Sequence, residues 1–295
     1  MSAFMSTSTS TPAPVARAFR QVDVFTDRVG WGNPVAVVLD ATGLDDAAMQ
    51  RFAAWTNLSE TTFVLPPTRP DCDYRVRIFT PGGELPFAGH PTLGTCHAWL
   101  AHGGVPRDAA LVVQECAVGS VRIRRDAAGG RLAFAAPTCV RSEPADSLLR
   151  DVVEALGVAP EAILAARLLD NGPVWLGLVM GSRAAVLAVE PDHARLRGLG
   201  IKVGVVHVPA DTAVEAVTVR AFAAPIGVNE DPVTGSLNAS LAQWFRAESL
   251  VSGDYVAEQG ERVGRDGRVY LGFDGGGEVW VGGGVVDCVC GVCLI

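Results

Sequence analysis

Two stretches of this chain place a polar residue directly before a proline and then turn apolar with helical spacing. The first is Gly89-His90-Pro91-Thr92-Leu93-Gly94-Thr95, continued by Cys96, His97 and Leu100. The second is Glu230-Asp231-Pro232-Val233-Thr234-Gly235-Ser236, continued by Leu237, Leu241 and Trp244. Proline is favoured at the first helical position after an N-cap residue, so two helices are expected, capped by His90 and Asp231. Aspartate is an ordinary cap and histidine is not, which points to another task for His90. No acidic or basic charge occurs from Pro91 to Ala101 or from Pro232 to Phe245. A helix without a charged face is a buried one. The chain must therefore wrap two buried helices, whose first turns offer free amides to an anion.

The rest of the sequence supplies the wrapping. Alternating or apolar strand patterns cover Ala18 to Phe25, Pro34 to Leu39, Thr61 to Leu65, Tyr74 to Phe79, Leu111 to Glu115, Val118 to Arg124 and Arg131 to Phe134. Asp45 to Trp55 and Leu148 to Leu156 have helical spacing. Landmarks then recur. Asn171-Gly172-Pro173-Val174 echoes Gly32-Asn33-Pro34-Val35, and Val217 to Phe222 leads into a Pro/Gly loop as Val76 to Phe79 does. The order suggests a duplication. The helices are too few for a doubly wound parallel sheet, and no glycine-rich nucleotide fingerprint follows the first strand.

The expected fold class is α+β, with two sheet-rich lobes each curled around one buried helix. The expected division is a Ser/Thr-rich disordered tail over 1–17, an N-terminal lobe over 18–136, a polar linker from Pro137 to Asp146, and a C-terminal lobe over 147–284. A terminal strand over 285–295 is expected to pair with the N-terminal lobe. Cys290 and Cys293 form a CxxC with Cys288 beside it, but no second ligand pair has metal spacing, so cysteine acts there as a small hydrophobe.

A net charge of −8 with no basic stripe argues against a nucleic-acid partner. No apolar run is long enough for a bilayer, and the first residues lack the form of a secretory signal. Seven cysteines, an odd number scattered through the chain, fit a reducing, cytoplasmic setting.

Glu60 stands in a stretch without basic residues from Trp55 to Pro67. Desolvation there would raise its pKa and suit a general base, although a strand-edge glutamate in water fits the same pattern. Asp231 alone is an unremarkable cap. Thr234, Gly235 and Ser236 offer first-turn amides and hydroxyls to a carboxylate, or simply allow close packing. His97 reads as a core histidine. With no metal cluster, phosphate loop or G-x-S-x-G serine, proton transfer on a small anionic molecule remains.

Five blocks, in order, resemble the PhzF family of phenazine-biosynthesis-like isomerases: DVFT…GNPVAVV (Asp23 to Val38), NLSETTFV (Asn57 to Val64), RIFTPGGELPFAGHPTLG (Arg77 to Gly94), NEDPVTGS (Asn229 to Ser236) and EQG…GR (Glu258 to Arg265). The resemblance implies a diaminopimelate-epimerase-like fold of two pseudo-symmetric β-rolls, a homodimer, and isomerisation without cofactor or metal. It assigns catalysis to Glu60, His90 and Asp231, and substrate contacts to Asn33, Ser59, Gly89, Gly235 and Ser236. The related epimerases carry two cysteines at the helix starts; here the nearest is Cys96, so a two-thiol racemase is disfavoured. The alternatives are an amino-acid or hydroxy-acid epimerase using the same acids, and a small-molecule-binding protein without turnover.

Overall fold

The computed structural model describes residues 14–126 and 130–295; most of the expected 1–17 tail lies outside them. The first half runs β1 (Ala16–Val24), β2 (Asn33–Val38), α1 (Asp46–Thr56), β3 (Thr61–Leu65), β4 (Tyr74–Thr80), β5 (Gly83–Leu85), α2 (Gly89–Ala101), β6 (Leu111–Cys116), β7 (Gly119–Arg125) and β8 (Leu132–Ala135). A short β9 (Val140–Ser142) follows, then α3 (Asp146–Ala155). The second half runs β10 (Ile163–Asp170), β11 (Val174–Met180), α4 (Arg183–Ala188), α5 (His193–Leu199), β12 (Lys202–His207), β13 (Val217–Ala223), β14 (Val228–Asp231), α6 (Gly235–Ala247), β15 (Tyr255–Gln259), β16 (Gly267–Phe273) and β17 (Val279–Gly283). The last strand is β18 (Val285–Leu294).

The duplication is written in the strand pairing. In the first half β1–β2 is antiparallel, β2–β3 parallel, β3–β4 antiparallel, β4–β6 parallel, and β6–β7–β8 antiparallel. The second half repeats that order with β10–β11, β11–β12, β12–β13, β13–β15 and β15–β16–β17. Each curled sheet holds one helix. Leu93 and Cys96 of α2 and Leu237, Leu241 and Trp244 of α6 are buried in one core that spans both halves. Apolar side chains all round are what such central helices require. The outer layers differ: α1 covers β3 and β4, while α3, α4 and α5 cover the second sheet.

The halves are stitched together. β8 pairs antiparallel with β17. β9, at the end of the first half, pairs with β10 of the second, and β18 returns to pair with β1 of the first. The stretch read as a polar linker thus contains a strand, too short and too exposed for its side-chain pattern to announce it. Cys288, Cys290 and Cys293 lie along β18 as free thiols.

Neither expected cap is observed. The helix α2 begins at Gly89 after Ala88, so His90 is its second residue and Pro91 its third. Proline is tolerated there because the first-turn amides have no intrahelical acceptor. The helix α6 begins at Gly235, with Thr234 at the cap position and Asp231 at the end of β14.

The repeat therefore aligns Gly89 with Gly235 and His90 with Ser236, not His90 with Asp231. An ion pair marks the true frame. Arg77 on β4 donates through Nε and Nη2 to the two carboxylate oxygens of Glu84 at 2.7 and 2.6 Å. Arg220, at the same place on β13, donates likewise to Glu230 at 3.0 and 2.8 Å.

Candidate active site

The two helix starts meet. A Cβ added to Gly235 would lie 3.2 Å from Gly89 Cα, and one added to Gly89 would strike the Phe134 ring at 2.8 Å. Glycine is needed at both places for backbones to approach this closely. The first amides of both helices, from Gly89, His90, Gly235 and Ser236, lack intrahelical acceptors by geometry and converge on the junction.

Three titratable side chains surround it. Glu60 precedes β3, and its side chain is 15% exposed. Burial pushes its carboxyl up to about 7, while the Ser59 hydroxyl pulls the other way. His90 Nε2 lies 3.3 Å from Glu60 Oε2, without the alignment of a hydrogen bond. Burial drives the imidazole down to about 4, against the charge of Asp231 and a hydrogen bond with the Pro34 carbonyl. Nε2 is the ring nitrogen left without a partner, so the Pro34 bond uses Nδ1–H, and Nε2 turns a lone pair toward Glu60.

Asp231 comes from the other half. Asn33 Nδ2 donates to its Oδ1 at 3.0 Å, and Thr234 Oγ1 donates to its Oδ2 at 2.6 Å. Burial raises its carboxyl to about 6, opposed first by the charge of His90. Near neutral pH the three groups thus occupy different states: a neutral imidazole, an ionised aspartate, and a glutamate close to its midpoint. Environments that hold neighbouring groups apart in this way set up acid and base roles.

The structure brings the residues singled out for the site to one junction, where three of them also carry structural hydrogen bonds. Thr234 is not free for a ligand, since its amide donates to Gln259 Oε1 at 3.1 Å and its hydroxyl serves Asp231. Asn33 is a brace between the halves, with Nδ2 also donating to the Val233 carbonyl at 2.8 Å. Ser236 Oγ accepts from Trp175 Nε1 at 3.2 Å.

Sequence reasoning missed Gln259. It is buried, and its Nε2 donates to the Asp231 carbonyl and to Thr234 Oγ1, both at 2.9 Å. Its Oε1 accepts from Thr234 N and Asn238 Nδ2. An amide with donors and acceptors all engaged fixes the approach to α6. Its place in the EQG block was the available signal. Among the described residues no cluster of His, Cys, Asp and Glu could hold a metal ion. A groove of about 860 Å³ lies apart from this junction, between α3 and β10, and Glu143, Asp146, Arg150 and Glu154 at its rim are exposed.

The sequence matches the family model described as phenazine biosynthesis-like protein over residues 22–284. The chain belongs to the PhzF family. A PhzF relative from Pseudomonas aeruginosa, trans-2,3-dihydro-3-hydroxyanthranilate isomerase, is 34% identical over 271 residues, covering 87% of this chain and 90% of the relative. Antisense-enhancing sequence 1 of Schizosaccharomyces pombe is 33% identical over 293 residues, covering 94% and 99%. The crystal structure of a PhzF-family phenazine biosynthesis protein from Bacillus anthracis superposes with a TM-score of 0.82 at 24% identity, covering 95% of this chain and 100% of that one. The protein is a PhzF-like isomerase, and its two curled lobes are the PhzF fold.

Proposed function

We propose that this protein isomerises a small carboxylate-bearing molecule, of the class of trans-2,3-dihydro-3-hydroxyanthranilate, by moving a proton between two carbons. The observation that carries the reading is the buried Glu60 carboxyl facing the unpartnered Nε2 of His90 at the meeting of two helix starts.

The substrate carboxylate lies against the free amides of Gly235 and Ser236, where the positive end of α6 favours an anion. Glu60, ionised, removes a proton from the ring carbon that bears the hydroxyl. Its pKa near 7 makes it strong enough to take the proton and weak enough to return it. The proton is delivered to another ring carbon by Glu60, directly or after passing through His90 Nε2. One C–H bond breaks and another forms, the double bonds shift, and no redox change occurs. Asp231, held by Asn33, Thr234 and the backbone grip of Gln259, orients the substrate and balances charge as it moves.

The test is incubation with trans-2,3-dihydro-3-hydroxyanthranilate in heavy water. The wild type is expected to convert it with incorporation of solvent deuterium, and Glu60→Gln to lose both by about 10²- to 10⁴-fold. Undiminished exchange in Glu60→Gln refutes the role given to Glu60. Deuterium exchange at a stereocentre without double-bond movement would favour an epimerase instead.

A further inference from the structure

Lys202 is the only lysine in the chain; the other 23 of its 24 basic residues are arginines. It opens β12, and strand register identifies its counterpart in the first half. Thr61 of β3 pairs with Phe79, two residues beyond Arg77; Val203 of β12 pairs with Phe222, two residues beyond Arg220. The residues just before Thr61 and Val203 are therefore equivalent. They are Glu60 and Lys202.

The surroundings correspond as well. Glu60 faces His90, the second residue of α2. The Lys202 ammonium lies 5.0 Å from the centroid of the Trp175 ring, and Trp175 donates to the hydroxyl of Ser236, the second residue of α6. Its stem is partly buried. Among the described residues its ammonium makes no ion pair or hydrogen bond, whereas the buried Arg220 is consumed by Glu230 and by backbone carbonyls. Burial holds the ammonium below the ordinary lysine range, and the charge of Asp231 acts against this. An unpaired cation on a ring that itself reaches the first turn of a helix is complemented by an anion from solution. A compact ammonium with three rotatable donors can meet one carboxylate oxygen while the amides meet the other.

We propose that Lys202 pairs with the substrate carboxylate at the start of α6 and makes the site select acids over their neutral amides. This rests on the carboxylate position given under Proposed function. It places the substrate between a cation from one half and an acid from the other, at equivalent positions of the repeat.

The probes are anthranilate and anthranilamide, titrated calorimetrically into the wild type, Lys202→Met and Lys202→Arg. The wild type is expected to bind the acid about tenfold or more tightly than the amide, the scale of a charge-assisted hydrogen bond. Lys202→Met is expected to lose that preference and Lys202→Arg to keep part of it. An unchanged preference in Lys202→Met, or none in the wild type, overturns the proposal. A second measurement needs no variant. Cyanate carbamylation of the native protein has one lysine to modify, read by peptide mapping with the N-terminal amine as control. Anthranilate should slow modification of Lys202 about tenfold and anthranilamide should not; equal rates overturn the proposal. Glu60→Gln separates the two readings. It should keep the preference for the acid while losing deuterium exchange, and if it exchanges normally the proton role falls while the Lys202 result stands.

Discussion

His90 Nε2 stands 3.3 Å from Glu60 Oε2, an unprotonated ring nitrogen facing a carboxyl whose burial raises it to about 7. Deuterium exchange should therefore rise about tenfold per pH unit up to about 7 and level off above it. His90, held down to about 4, contributes no further inflection between pH 6 and 8. Rates of exchange measured from pH 5 to 9 check this. A midpoint near 4.5, the ordinary glutamate value, would contradict the burial argument.

The same carboxyl makes stability depend on pH. A glutamate whose folded pKa lies above its unfolded value takes up a proton on folding, so the fold loses stability as pH rises from about 4.5 to about 7. Asp231 acts in the same sense between about 4 and 6, and His90, with a lowered pKa, in the opposite sense up to about 6.5. Those two partly cancel. Glu60→Gln removes only the first contribution. Its stability relative to wild type should increase from pH 5 to pH 8, approaching a total on the order of 3 kcal/mol across the whole window. Urea unfolding at the two pH values measures the difference.

The repeated ion pair offers an internal control on burial. Side-chain exposures are 3% and 9% for Arg220 and Glu230, against 17% and 37% for Arg77 and Glu84. Arg220→Met strands a buried carboxylate and the carbonyls of Val186 and Val189, and should cost about 3–5 kcal/mol. Arg77→Met should cost about 1 kcal/mol or less. Similar losses in urea melts of both variants would show that burial does not separate them.

Gly235 is tested by adding one methyl group. In Gly235→Ala the new Cβ would press on Gly89 Cα at 3.2 Å and on His90 N at 3.4 Å. Both neighbours are backbone, so the helix starts must part by a few tenths of an ångström. Exchange should fall by up to about 100-fold with the fold retained, read from kinetics and circular dichroism on one sample.

Much of the architecture was legible because side-chain periodicity reports directly on burial. The long strands from Ala16 to Ala135 and the start of α2 were read within a residue or two, while the short β5 was read as a loop and α6 begins three residues later than expected. The frame of the repeat was misread because the two prolines looked like equivalent helix starts. Pro91 lies inside α2, while Pro232 lies in a bend between β14 and α6. The spacing Val-Arg-x-Phe followed by Glu-x-Pro-x-x-Gly, present at Arg77 to Gly89 and Arg220 to Gly235, would have given the right frame. The equivalence of Glu60 and Lys202 was out of reach, because it depends on which residues face each other across strands far apart in sequence. The brace from Asn33 to Asp231 spans 198 residues and leaves no local trace.

The exchange of closing strands has a further result. β9 caps the sheet of the half that follows it and β18 caps the half that precedes it, so an isolated fragment of either half would leave an uncovered edge and a severed ladder. Calorimetry on the intact protein should show a single melting transition, and separately expressed halves should be recovered only when mixed.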